Sequence, residues 1–300
     1  MSSPIDIRPF RRGDREQLTA LVNAHIEAVV PGWSVSVNAV LSQLEREPGE
    51  IVVDPWVTGR TTLVALRRER VVAAAHLLRY AADDRVGEAC RDAGEIRWLA
   101  CLPDEAAAGD VLAGACVREL EGWGVARQCA DGALPSPATY GVPACWPHVR
   151  GVLQRAGFVA GGHVEIIMAA TVGDLPAAGP APLPELGLDR TLGTAGTRFT
   201  GRLDGEVAGL VEVRTDMTNG GALSRLAGWG DLWELHVAER LRRRGIATWL
   251  VGQAADWLRL ARVERVIAEA RPEDADVVGF LRRLGWRELT RTERGWTRTP

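Results

Sequence analysis

The sequence predicts an α/β (α+β) protein of two domains, each a mixed central sheet flanked by helices. Three observations predict it. Short β-rich runs with alternating apolar residues are interleaved with stretches whose apolar residues recur at helical spacing. A proline-rich interruption at 171–185, with Pro176, Pro180, Pro182 and Pro184, separates two such series. A weak internal repeat relates the halves: Trp98-Leu99 matches Trp233-Glu234, Gly109 matches Gly245, and Gly157-Phe158 matches Gly285-Trp286. These place an N-terminal domain at 1–172, a linker at 173–184 and a C-terminal domain at 185–300.

Residues 5–10 alternate like an edge strand. Residues 14–30 carry a helical stripe, Leu18, Leu21, Val22, Ile26 and Val29, which His25 joins. A second helix is predicted at 38–47. The runs 61–66 and 71–80 flank a charged turn and read as a hairpin. A strand at 94–102, helices at 110–123 and 149–157, and a strand at 163–171 complete this half. No clear strand run appears between 124 and 148.

After the linker, 197–203 and 206–214 form a hairpin around Asp204-Gly205. A glycine-rich stretch, 219–230, holds Trp229 and suits a mobile lid or a plain connecting loop. A strand at 232–237 leads into a helix from about Gly245, whose buried face is Ile246, Trp249, Leu250, Ala254, Trp257, Leu258 and Ala261. A strand at 263–270, a helix at 274–284 closed by Gly285-Trp286, and one or two strands in 287–298 follow. This half has no room for the two early helices, so it is truncated at its start.

Composition narrows the class. The chain is 46% hydrophobic and 25% charged with net charge −3, which gives no footprint for nucleic acid or an anionic membrane. All 36 strongly basic residues are arginine, in the style of a GC-rich bacterial genome, so no lysine nucleophile or Schiff base is available. The five cysteines, Cys90, Cys101, Cys116, Cys129 and Cys145, are odd in number and form no CxxC pair. They read as reduced thiols of a cytoplasmic protein. The start has no apolar signal region, no segment reads as membrane-spanning, and no metal-ligand set is assigned.

The junction Arg242-Arg243-Arg244-Gly245-Ile246-Ala247 is the informative stretch. It sets free backbone N–H groups, a permissive glycine and positive charge at a helix start, the ingredients that hold a phosphate or pyrophosphate. On the preceding strand, simple alternation puts Leu232, Glu234 and His236 on one face and Trp233, Leu235 and Val237 on the other. Glu234 suits a general base or an ion-pair partner of an arginine such as Arg214. His236 is the second candidate base, or a packed strand residue.

Placed between a strand and an amphipathic helix, Arg242, Gly245 and Ala247 resemble motif A of the GNAT acetyltransferases, Gln/Arg-x-x-Gly-x-Gly/Ala. The resemblance implies two GNAT-like domains and acetyl-CoA as co-substrate. It gives the pantetheine arm to the backbone of Leu235, His236 and Val237. The pyrophosphate goes to Arg242, Arg243, Arg244, Gly245, Ile246 and Ala247, with Thr248 close by. Asp274 falls at the asparagine position of the family's last-helix pattern, and Leu281 at its tyrosine position. A direct attack by the amine of a small molecule on the thioester is implied, with Glu234 as base. The first copy has Ala106 for Arg242, and Asp110 after Gly109, which reads as a degenerate, structural domain. The layout is also similar to the mycothiol synthase type; a non-catalytic acyl-CoA binder is the competing class.

Overall fold

The computed structural model describes residues 4–45, 56–218 and 226–299. The chain forms two compact units, Met1–Val164 with Thr290–Pro300, and Glu165–Leu289.

The first unit contains β1 (Asp6–Pro9), α1 (Arg15–Val29), α2 (Val37–Leu44), β2 (Val57–Arg67), β3 (Arg70–Tyr80), β4 (Ala93–Cys101), α3 (Ala106–Gly122), β5 (Arg127–Ala130), β6 (Val142–Pro143) and α4 (Pro147–Arg155). The expected stripe of α1 is its buried face, His25 included. The expected end of α2 at 46–47 lies outside the described residues. The β2–β3 turn is tight because Arg68 and Glu69 both adopt positive φ, +50° and +66°. β5 is the strand that 124–148 concealed. With only RQCA between its ends it is too short to show a period.

The sheet order is β1-β2-β3-β4-β5-β14, where β14 (Trp296–Arg298) is the last strand of the chain. Trp296 pairs with Ala130 and is fully buried. The end of the chain therefore belongs to the first unit.

The second unit holds β7 (His163–Thr171), β8 (Gly187–Leu192), β9 (Thr197–Leu203), β10 (Glu206–Arg214), β11 (Trp229–Val237), α5 (Ile246–Leu260), β12 (Arg265–Ala270), α6 (Ala275–Arg283) and the start of β13 (Arg287–Arg294). Its sheet runs β8-β9-β10-β11-β12-β7, with β13 beyond β7. The division falls at 164/165 rather than at 172 because β7 pairs with β12, Arg265 opposite Thr171 and Ala270 opposite Ile166. β8 was not expected: each of its residues is exposed, so no buried period marks it. Most of the stretch 219–230 lies outside the described residues, and Trp229 itself opens β11.

One apolar core joins α5 and α6 to a single face of this sheet, through Val211, Val213, Val266 and Ala268 against Leu250, Ala254, Val278 and Leu281. The proline-rich segment is not a free linker. It lies along α5 as a strap, where Trp249 Nε1 donates to the Gly179 carbonyl at 3.1 Å and Arg259 donates to the Val172 carbonyl at 2.9 Å. Gly252 permits this approach, since a Cβ there would stand 2.7 Å from the Ala177 oxygen.

Candidate active site

β11 and the turn after it build the site. β11 runs parallel to β12 only from Trp229↔Arg265 to Leu232↔Ala268. Beyond Leu232 the strands part. On its other side β11 stays paired with β10 as far as Val237. His236 lies opposite Leu210, and two residues on the Ala238 N–H donates to the Ala208 carbonyl at 2.9 Å. By antiparallel alternation His236 directs its backbone groups to β10, whereas Leu235 and Val237 turn theirs into the opening. The Val237 carbonyl takes one long bond, 3.3 Å, from Arg242 Nε.

Alternation along β11 is interrupted. The register with β10 shifts between Glu212↔Glu234 and Val213↔Leu232, so Trp233 is an extra, bulged residue. Leu232 consequently packs into the core with Leu235 and Val237, correcting the simple alternation that grouped it with Glu234. Asp231, Glu234 and His236 share the opposite face, and Trp233 stands 55% exposed.

After β11 the chain turns through Arg243 at φ +62° and Gly245 at φ +81° into α5. Gly245 is the N-cap and no side chain caps the helix. Trp249 is the first residue of the turn whose N–H finds a helical partner, the Gly245 carbonyl at 3.0 Å. Among the described residues, the amides of 243–248 donate to no group of the protein. Left-handed residues set successive N–H groups toward one side, which concentrates positive potential there.

These amides open on a cleft of about 890 Å³ that runs from Leu235, His236 and Val237 past Arg242, Arg243, Gly245, Ile246, Ala247 and Thr248 to Asp274 and Phe280. Its cationic side chains, Arg242, Arg243 and Arg283, are matched by Glu273, Asp274 and Asp276, and Arg243 pairs with Asp276 at 3.2 Å. Positive potential in the cleft therefore comes from the uncapped amides rather than from net side-chain charge.

The structure brings together ten of the sequence-derived residues on this cleft: Leu235, His236, Val237, Arg242, Arg243, Gly245, Ile246, Ala247, Thr248 and Asp274. Arg244 is exposed and is not among the lining residues. Glu234 also lies off the cleft. Its partner is Arg198, at 3.1 Å, not Arg214. Arg198 bridges it to Glu212, 2.7 Å away, which is fully buried. Burial alone would raise the Glu212 carboxyl, but the Ala195 N–H, Arg198 and the Gly196 N–H hold it below its ordinary value. Arg214 instead pairs with Asp231 at 3.1 Å. Burial pushes the Asp231 carboxyl up to about 6 against the pull of Arg214. Sequence reasoning missed Asp231 because it treated 232–237 as the whole strand.

The first unit repeats this frame and closes it. β4 pairs with β5 from Ala93↔Arg127 to Ile96↔Ala130, and its register with β3 shifts between His76↔Trp98 and Leu77↔Ile96. Aligned on these features, Glu95 corresponds to Asp231 and Trp98 to Glu234, one residue from the match drawn on sequence. Beyond Ile96 the strands are stitched: the Ala133 N–H donates to the Arg97 carbonyl at 2.7 Å, and His148 Nε2 donates to the Cys101 carbonyl at 2.9 Å. The turn before α3 carries Asp104 and Glu105, and Ala106 stands where Arg242 does. This unit lacks both the open strand edge and the basic turn.

A forked parallel strand pair, a bulge at the fork and an uncapped helix start together make the site. Residues 165–286 match the model of the acetyltransferase (GNAT) family. That match spans nearly the whole of the second unit, which is thus similar to GNAT acetyltransferase domains. Three solved structures share the fold over nearly the whole chain. A GCN5-related N-acetyltransferase from Sphaerobacter thermophilus is 16% identical with a TM-score of 0.61, covering 100% of this chain and 98% of that one. A tandem GNAT protein from the clavulanic acid biosynthesis pathway is 12% identical at 0.57, covering 98% of each. A fungal multi-domain GH3 beta-N-acetylglucosaminidase with a GCN5-related glucosamine N-acetyltransferase region is 14% identical at 0.60. The match covers 99% of this chain but 38% of the fungal one. Curated protein sequences give no match. Among the described residues, no helix is long and apolar enough to cross a membrane.

Proposed function

We propose that the second unit transfers an acetyl group from acetyl-CoA to the amine of a small molecule. The observation that carries this is the run of uncapped amides, 243–248, at the mouth of the β11–β12 fork. The fit is specific in kind. A diphosphate takes those N–H donors together with Arg242 and Arg243, with Thr248 and Asp274 on the cleft walls. An amide-bearing arm pairs with the backbone groups that Leu235 and Val237 present to the opening. Acetyl-CoA, when bound, supplies an activated thioester.

The chain's own residues do the rest. Glu234 sits just past the fork, half-exposed and held by Arg198, where it takes the proton of an arriving ammonium directly or through water. His236 lines the cleft itself and is the second candidate base. Leu281 occupies the usual tyrosine position and is buried, so α6 offers no proton there to a departing thiolate. That observation favours one competing reading, a non-catalytic acyl-CoA binder. Thiol release from acetyl-CoA across a panel of amines separates the two. Turnover of any amine supports the enzyme; calorimetric binding of acetyl-CoA without turnover on every amine supports the binder. Glu234→Gln is expected to lower kcat by about 100-fold, a usual worth of a general base, while acetyl-CoA affinity stays within about twofold.

A further inference from the structure

We propose that a second cleft on the second unit, at the bulge of β11, binds the acceptor as an organic cation. The cleft measures about 730 Å³ and is walled by the turn Thr194–Thr197, by Arg214 and Asp216 at the end of β10, and by Trp233. This inference rests on the acetyltransferase reading, because the bulge lies immediately past the fork where the acetyl group would arrive.

The cleft exists because of the bulge. Inserting Trp233 between Leu232 and Glu234 turns an indole out of the strand, and that indole is more than half exposed. Arg214 already lies over its ring, 5.3 Å from the centroid, so a cation is a demonstrated neighbour of this π-face. The opposite charge predominates nearby. Arg214 is engaged by Asp231, and Arg198 by both Glu212 and Glu234. Among the described residues Asp216 has no cationic partner. It accepts from Thr218 Oγ1 and from the Thr218 N–H, bonds that hold its carboxyl below the ordinary value and keep it charged. An exposed indole beside an ionised carboxylate is the recognition chemistry of an alkyl- or arylalkylammonium.

The first unit supplies an internal control. Counting from the acids, Glu95 opposite Leu78 and Asp231 opposite Arg214, the residue equivalent to Asp216 is Tyr80. The Tyr80 hydroxyl donates to Glu95 at 2.6 Å, and its ring is buried. There the protein fills with its own phenol the place that a cleft borders in the second unit. The carboxylate excess predicts rejection of amines that also bear a phosphate or carboxylate.

The test is calorimetric titration of the full-length protein, saturated with CoA, with phenethylammonium and separately with O-phosphoethanolamine. Wild type is expected to bind phenethylammonium at least tenfold more tightly than the phosphorylated amine. Trp233→Ala and Asp216→Asn should each weaken phenethylammonium by about tenfold, the scale of one cation–π or ionic contact, with acetyl-CoA affinity within twofold. Trp233→Phe keeps a ring and should fall between, which separates loss of the π-face from misfolding. Equal binding of the two amines, or wild-type affinity in both the Ala and Asn variants, overturns the proposal. So does the absence of heat from phenethylammonium where acetyl-CoA itself binds. Absence of heat from acetyl-CoA would instead strike the acetyltransferase reading, with phenethylammonium binding still measurable on its own.

Discussion

At the scale of single residues, Asp231 offers the sharpest pH signature. Its carboxyl is pushed up to about 6 in the folded protein, above the ordinary aspartate value. The folded state therefore holds this proton more tightly than the unfolded chain, and stability falls as pH rises between roughly 4 and 6. A two-unit shift corresponds to an upper bound of about 3 kcal/mol. Asp216 and Glu212 are shifted the other way, so they act in the opposite sense. Asp231→Asn isolates the effect. Its stability relative to wild type, from urea unfolding, should increase as pH is raised from 4 to 7; a difference that stays flat would remove Asp231 from the account. The candidate base Glu234 and the amide-lined turn were legible in the sequence because residue type and spacing alone carry them. The true partner of Glu234, Arg198, was not, because it comes from β9, which is distant in sequence and adjacent only across the sheet.

At the scale of elements, two devices matter, the bulge and the strap. Strand and helix periods were readable wherever one face is buried: β7, β9 and β10 fall where alternation placed them, and α5 buries Ile246, Trp249, Leu250, Ala254 and Leu258 of its expected stripe, with Trp257 partly buried and Ala261 exposed past the helix end. A bulge has no period, so its side-switching effect on Leu232 could be seen only in the pairing register. Deleting Trp233 should restore regular alternation. It would leave Glu234 opposite Glu212 on the outward face while removing the exposed indole, so the variant is expected to weaken phenethylammonium binding with acetyl-CoA affinity within about twofold. The strap was read as a linker from its prolines; its hydrogen bonds to α5 come from residues that the sequence does not mark as partners. Gly252→Val places side-chain carbon against the Ala177 carbonyl and is expected to destabilise by about 1–3 kcal/mol, the range for overpacking. Trp249→Phe loses the bond to Gly179, worth about 1 kcal/mol, together with part of a buried ring. If Gly252→Val proved neutral in thermal unfolding, the strap would not be packed as described.

At the scale of the molecule, one frame has been used twice with opposite outcomes. Both units fork a parallel strand pair after the same number of residues and bulge at the same place. The first stitches its fork with Ala133 and His148; the second leaves its fork open and sets uncapped amides at the mouth. The repeat was visible in the sequence through its glycines, of which Gly157, Gly245 and Gly285 sit at turns while Gly109 lies inside α3, but the exact register was not, since the matched strands share few side chains. The return of the chain end to the first unit also escaped sequence reasoning, because strand order is a long-range property. Trp296 is fully buried there, and Trp296→Ala should cost about 3–5 kcal/mol of stability, as expected for a large core truncation. Acetyl-CoA affinity, which belongs to the second unit, should change little in the same variant at low temperature.

The most direct measurement compares acetyl-CoA with acetyl-pantetheine, which keeps the thioester and the amide arm and lacks the diphosphate. Calorimetric titration of the intact protein should show acetyl-CoA binding at least about 100-fold more tightly, because several charge-assisted bonds to the start of α5 are lost together. Equal affinities, or no heat from acetyl-CoA at millimolar concentration, would contradict the assignment of those amides to a diphosphate.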